Sequence, residues 1–155
     1  VEFLDPECES CRASYPAVKE ILQQYDGQVR LVVRYFPLHN NSVLAAIATE
    51  AAGEQGQYWE MHELLFERQP EWGEQSTSQR DLFVQYARQL GLDEARFLTA
   101  LENPDYTQKV ERDRQDGVAL GVTGTPTFFV DGRQIEPLSY DALVAAIEAG
   151  LSASP

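Results

Sequence analysis

Apolar residues alternate between strand-like runs and helical spacing along this chain, and the order of those patterns outlines a fold. Val1–Leu4 is a short apolar run that predicts a strand, and the apolar positions from Cys11 to Tyr25 predict an amphipathic helix. Asp26-Gly27 then turns the chain into Val29-Arg30-Leu31-Val32-Val33-Arg34-Tyr35-Phe36, a β-branched and aromatic run stopped by Pro37. From Ser42 to about Leu120 no strand signal occurs. Leu44, Ile47, Ala48 and Ala51, then Trp59, Leu64, Leu65 and Phe66, then Leu82, Phe83, Tyr86 and Leu90 mark successive helices, punctuated by Gly91 and Asn103-Pro104. Two strands, Thr127–Val130 and Gln134–Ile135, follow around an Asp-Gly turn, and a helix capped by Ser139 runs to Leu151.

The predicted order is therefore βαβ, a helical block, then ββα, an α/β arrangement. At 155 residues and 43% hydrophobic, the chain can build one core. Its net charge of −13 argues against nucleic acid, whose phosphates call for basic patches, and against anionic membrane surfaces. The acids are spread along the chain, as on a solvated surface. No run of about 18 apolar residues occurs, so this segment does not itself insert in a membrane.

Candidate chemistry enters with the two cysteines, Cys8 and Cys11, which form a C-x-x-C between the first strand and the first helix. A disulfide closing so small a loop would stabilise by only about 2 kcal/mol, which favours reactivity over scaffolding. A helix N-terminus stabilises a thiolate through its free N–H groups and dipole. That places Cys8 as the attacking thiol and Cys11, one turn inside, as the resolving one. A zinc half-site competes poorly: no further cysteine exists, and His39 and His62 lack ligand spacing. Two inert buried thiols remain an alternative on this motif alone.

A second motif lies far downstream, where Gly124-Thr125-Pro126-Thr127-Phe128-Phe129 enters the late strand. Taken with the strand Val1–Leu4 and the C-x-x-C opening a helix, it resembles the thioredoxin superfamily, specifically its DsbA-like branch. The resemblance implies a thioredoxin fold with residues 1–41 and 121–155 as one discontinuous domain and 42–120 as a helical insertion. It also implies a cis Thr125–Pro126 bond packed against the cysteine pair, with the Thr125 backbone pairing to a substrate peptide. Pro16 matches the family's proline inside the first helix, the alternative being a helix that restarts there. Glu2 matches the family's buried acid beneath the resolving cysteine, placed to relay its proton. Arg34 is a candidate partner for Glu2.

The implied activity is thiol–disulfide exchange with cysteine-containing protein substrates, reset by a redox recycling partner. No metal or cofactor is required, because the electrons reside in the cysteine pair. A reductase or isomerase with the same site, or a redox-inactive binding module, are the alternatives. The resemblance implies an extracytoplasmic setting, periplasmic or membrane-tethered. The chain starts without methionine inside the active-site strand, whereas family members carry a preceding strand or hairpin, so a trimmed or processed fragment is expected.

The family's oxidases have Pro-His between the cysteines where this chain has Glu9-Ser10. Asp5, Glu7 and Glu9 around Cys8 are expected to oppose thiolate formation, with Arg12 alone countering them. The segment Tyr58-Trp59-Glu60-Met61-His62 resembles a helix of the same branch and reads as packing. His39, in the loop after Pro37, is not expected to act as a base, since a thiolate needs none.

Overall fold

A four-stranded sheet with the order β2-β1-β3-β4 organises the chain in a computed structural model, which describes residues 1–153. β1 (Glu2–Leu4) runs parallel to β2 (Val33–Tyr35) and antiparallel to β3 (Thr127–Val130), which pairs antiparallel with β4 (Arg133–Gln134). α1 (Glu9–Gln24) links β1 to β2, and α8 (Tyr140–Ala153) follows β4. Between β2 and β3 come α2 (Ser42–Gly53), α3 (Tyr58–Glu67), α4 (Gln69–Trp72), α5 (Arg80–Gln89), α6 (Glu94–Leu101) and α7 (Pro104–Ala119). This is the thioredoxin architecture with helices inserted after its βαβ half.

Two strand boundaries differ from the sequence pattern for local reasons. The run Val29–Phe36 pairs only over Val33–Tyr35, because β1, its neighbour in the sheet, is itself three residues long. Val29 and Leu31 instead pack with α1 and α8. Asp131 and Gly132 both take positive φ, 47° and 78°, forming a two-residue hairpin turn. Val130 therefore pairs with Arg133, and β4 starts one residue before the expected position.

Strand alternation sorts side chains by face. Glu2, Leu4, Val33 and Tyr35 share one face in the β1–β2 register, and Phe3 and Arg34 the other. Arg34 consequently does not meet Glu2. It pairs with Asp113 and Asp116 of α7, and its guanidinium lies 5.6 Å from the Phe3 ring centroid. On that face α7 comes close at Gly117, where a Cβ would sit 2.8 Å from the Phe36 ring.

α1 runs unbroken through Pro16. Its buried residues Val18 and Ile21 pack with Phe128 of β3 and with Leu143 and Ile147 of α8. A separate core belongs to the inserted helices. Ala45, Ala48, Ala51 and Ala52 on α2 are fully buried, and their small side chains admit Met61, Leu65, Trp72, Phe83 and Phe97 from the helices around them.

Candidate active site

The β1–α1 junction sets the cysteines. Cys8 is the extended N-cap of α1 (φ −73°, ψ 123°), so it projects half-buried at the helix end, while Cys11 in the first turn is fully buried. Both are free thiols. The Cys8 Sγ donates to the Thr125 carbonyl at 3.5 Å, which brings the loop before β3 against the motif across 117 residues of chain. The Thr125–Pro126 peptide is cis.

The environment separates the two sulfurs. Cys8 is lowered to about 5, mainly by the hydrogen bond that the Cys11 thiol offers its thiolate. Partial burial opposes this, while Thr125 and the N–H groups of Ser10 and Cys11 assist. Cys11 is driven the opposite way, because it would lose its bond to Cys8 and because it is buried. The Thr125 hydroxyl is buried with no partner at hydrogen-bond geometry, yet it lowers both thiols. It is a donor left over for whichever sulfur becomes negative.

Two of the three acids flanking Cys8 are buried and hydrogen-bonded rather than solvated beside it. Asp5 is fully buried; its carboxyl accepts the Glu7 N–H at 2.8 Å and the Leu38 N–H at 2.7 Å, and lies 2.6 Å from His39 Nδ1. Glu7 is also buried, accepting the Asn41 N–H at 2.6 Å and the Glu74 N–H at 2.9 Å. Each carboxyl accepts two backbone N–H groups, with the His39 ring added at Asp5 and the Ser42 hydroxyl at Glu7. Glu9 alone of the three stays on the surface.

Those bonds bring in residues that sequence reasoning missed. The buried Gln69 amide donates to the carbonyls of Pro6 and Cys8. Asn41 ties the start of α2 to the segment before α5, accepting from the Gln79 N–H and donating to the carbonyls of Gln75 and Thr77. The inserted helices thus grip the active-site loop by its backbone. Only Asp5 and Glu7, beside the motif, carried a sequence signal; Gln69 lies 61 residues from Cys8 and carried none.

Glu2 is buried, and burial raises its carboxyl to about 8 against the pull of the Val1 ammonium. It shares a sheet face with Leu4, which packs beside Cys11. His62 is buried among the rings of Tyr15, Tyr58, Trp59 and Phe66, and burial lowers it to about 4, so it is neutral at pH 7. Trp59 is partly exposed, whereas Met61 is buried. No group of three or more His, Cys, Asp or Glu is placed to hold a metal among the described residues.

Fold and site define the class, that of DsbA-like thiol–disulfide oxidoreductases with a thioredoxin fold. The family model described as Thioredoxin matches residues 1–149, and the chain belongs to that family. It is similar to a thioredoxin-like oxidoreductase from Silicibacter pomeroyi, with 28% identity and a TM-score of 0.82, covering 99% of this chain and 86% of that one. It is also similar to BdbD from Bacillus subtilis, with 26% identity and a TM-score of 0.84, covering 97% and 85%. A further relative is the Na(+)/H(+) antiporter NhaA of Herminiimonas arsenicoxydans, 38% identical over 151 residues, 96% of this chain and 23% of that protein. The chain thus spans about a quarter of the antiporter it matches. No helix among the described residues is long and apolar enough to cross a membrane.

Proposed function

We propose that this protein exchanges disulfides with cysteine-containing protein substrates through Cys8 and Cys11, outside the cytoplasm, working in the oxidising direction. The observation that carries this is the asymmetry of the pair: a half-exposed Cys8 thiol lowered to about 5 beside a buried Cys11 raised well above the usual range. A low pKa stabilises the reduced pair and makes Cys8 a good leaving group, so its disulfide is readily given away.

In the oxidised protein a substrate thiolate attacks Cys8 Sγ, and the Cys8–Cys11 bond breaks as a substrate–Cys8 bond forms. Cys11 leaves with the electron pair and takes up a proton. A second substrate thiolate then attacks the substrate sulfur and releases Cys8 as a thiolate. The substrate dithiol has lost two electrons and two protons; the electrons reside on the cysteine pair, one proton is on Cys11, and the other is in solvent. A redox partner later removes both electrons.

Glu2 supplies or accepts the Cys11 proton in this scheme. Its burial, its raised pKa and its place on the Leu4 face support that role. Thr125 and Pro126 position the substrate chain, supported by the closeness of the Thr125 carbonyl to Cys8. The separate core of α2–α6 supports a helical insertion after residue 41 in the proposed division of 1–41 with 121–155 and 42–120, while α7, the last helix of that span, packs on the sheet. Similarity to a segment of an antiporter supports a membrane-tethered setting.

The test is a trap. Cys11→Ala should accumulate mixed disulfides through Cys8 with a reduced-and-reoxidised protein pool, and the wild-type potential in glutathione buffers should lie nearer about −120 mV than about −270 mV. Absence of mixed disulfides, or full biological activity in a chain with both cysteines changed to serine, overturns the reading.

A further inference from the structure

His39 shares a partner, Asp5, with the reactive cysteine, yet the exchange scheme gives it no part. Its Nδ1 lies 2.6 Å from Asp5 Oδ2, and its backbone N–H donates to Ser42 Oγ at 3.1 Å. Asp5 also reaches the other side: its carbonyl accepts the Cys8 N–H at 3.0 Å. One fully buried residue therefore fixes both the imidazole and the backbone of the attacking cysteine. The His39 side chain keeps 44% of its surface, so it is held at one nitrogen and wet elsewhere.

The charges around it are predominantly negative. From the β1–α1 loop come Asp5 and Glu7, and from the α1 N-cap Cys8. From α7 come Glu111 and Arg114, which line a groove with His39 and pair with each other. α2 contributes the neutral Ser42. Partial burial disfavours the charged ring, but the bond to Asp5 and the fields of Asp5, Glu7 and Cys8 outweigh it and raise its pKa above the ordinary value.

We propose that His39, clamped by Asp5, is a positioning residue that holds a positive charge toward Cys8, so that a proton on its ring is bound more tightly when Cys8 is a thiolate than when Cys8 is in a disulfide. The inference rests on the reading of Cys8 as the exchanging thiol. Its physical content is reciprocity: whatever His39 does for the thiolate, the thiolate does for the His39 proton. Reducing the pair leaves a charge that draws a fraction of a proton onto His39 from solvent. Oxidation returns that proton.

His39 and His62 are the two histidines of the chain, and His62 is buried and titrates at far lower pH, so the His39 ring signal is separable by NMR. Titrating that signal in reduced and oxidised wild-type protein should show about threefold tighter proton binding in the reduced form, the scale of one partly screened charge pair. Equal titrations overturn the coupling. In parallel, alkylation of Cys8 by iodoacetamide is followed against pH in wild type, His39→Gln and His39→Lys. The glutamine variant should react about twofold more slowly at pH 5, and the lysine variant at close to the native rate. If glutamine and lysine behave alike, the ring acts through packing and the proposal fails. Exchange of the wild type with glutathione disulfide separates the two failures. Normal exchange with a redox-independent His39 overturns this inference alone, and absent exchange overturns the thiol reading beneath it.

Discussion

The side chain of Gln69 holds the Cys8 carbonyl oxygen at 3.1 Å, so an inserted helix fixes the backbone of the reactive cysteine. The same amide donates to the Pro6 carbonyl at 2.8 Å, and Gln69 is itself buried. Gln69→Ala leaves two carbonyls without their donor. It should destabilise the protein by about 1–3 kcal/mol in urea unfolding and raise amide exchange over residues 5–9. Unchanged exchange there would show that the loop is fixed by Asp5 and Glu7 alone.

The reduced protein should be more stable than the oxidised one. A thiol with a folded pKa depressed to about 5 contributes stability that is present above the unfolded thiol pKa and is lost as pH falls through about 5. At pH 7, after discounting for a half-exposed site, this contributes about 1–2 kcal/mol to the reduced state. Paired denaturant curves at pH 7 and pH 4 check it: the reduced form's advantage should shrink at the lower pH.

Glu9 is the one flanking carboxylate left on the surface, in the first turn of α1. Glu9→His replaces a negative neighbour of the thiolate with one that can be positive. The reduction potential should rise by about 10–20 mV, the equivalent of a charge effect of 0.5–1 kcal/mol at a helix terminus. An unchanged or lower potential contradicts this.

Two buried groups should tilt stability in opposite directions with pH. Glu2 has a folded pKa raised to about 8, so its contribution is present below the unfolded value of 4.5 and is lost as pH climbs to about 8. His62 has a folded pKa lowered to about 4, so its contribution is present above 6.5 and is lost as pH drops toward 4. Glu2→Gln should flatten the alkaline limb of a stability–pH profile, and His62→Phe the acid limb, each by slopes of up to about 1 kcal/mol per pH unit.

The elements at the two ends of the chain were legible because their signals are local: a strand, a C-x-x-C at a helix start, a turn of Asp131-Gly132, and Thr125-Pro126 entering a strand. The inserted helices were legible as helices by their periodicity. What periodicity does not carry is direction. Arg34 is close to Glu2 in strand pattern, but the parallel register puts the two on opposite faces of the sheet. Asp5 and Glu7 read as charges beside a thiolate because sequence distance is short, yet their partners, at Leu38, His39, Asn41 and Glu74, come from elsewhere. Gln69 had no signal at all, since a glutamine on a helix is ordinary until its amide meets a buried carbonyl.

The contact between Cys8 and Thr125 spans 117 residues, and this bears on the order in which the protein is made. Within this segment the ribosome makes the cysteines before the loop with Pro126. Until that loop arrives Cys8 lacks the Thr125 contact, one of the groups that help hold its thiolate, while the bond from Cys11 needs only the first turn of α1. The pair therefore reaches its full acidity only when β3 is laid beside β1.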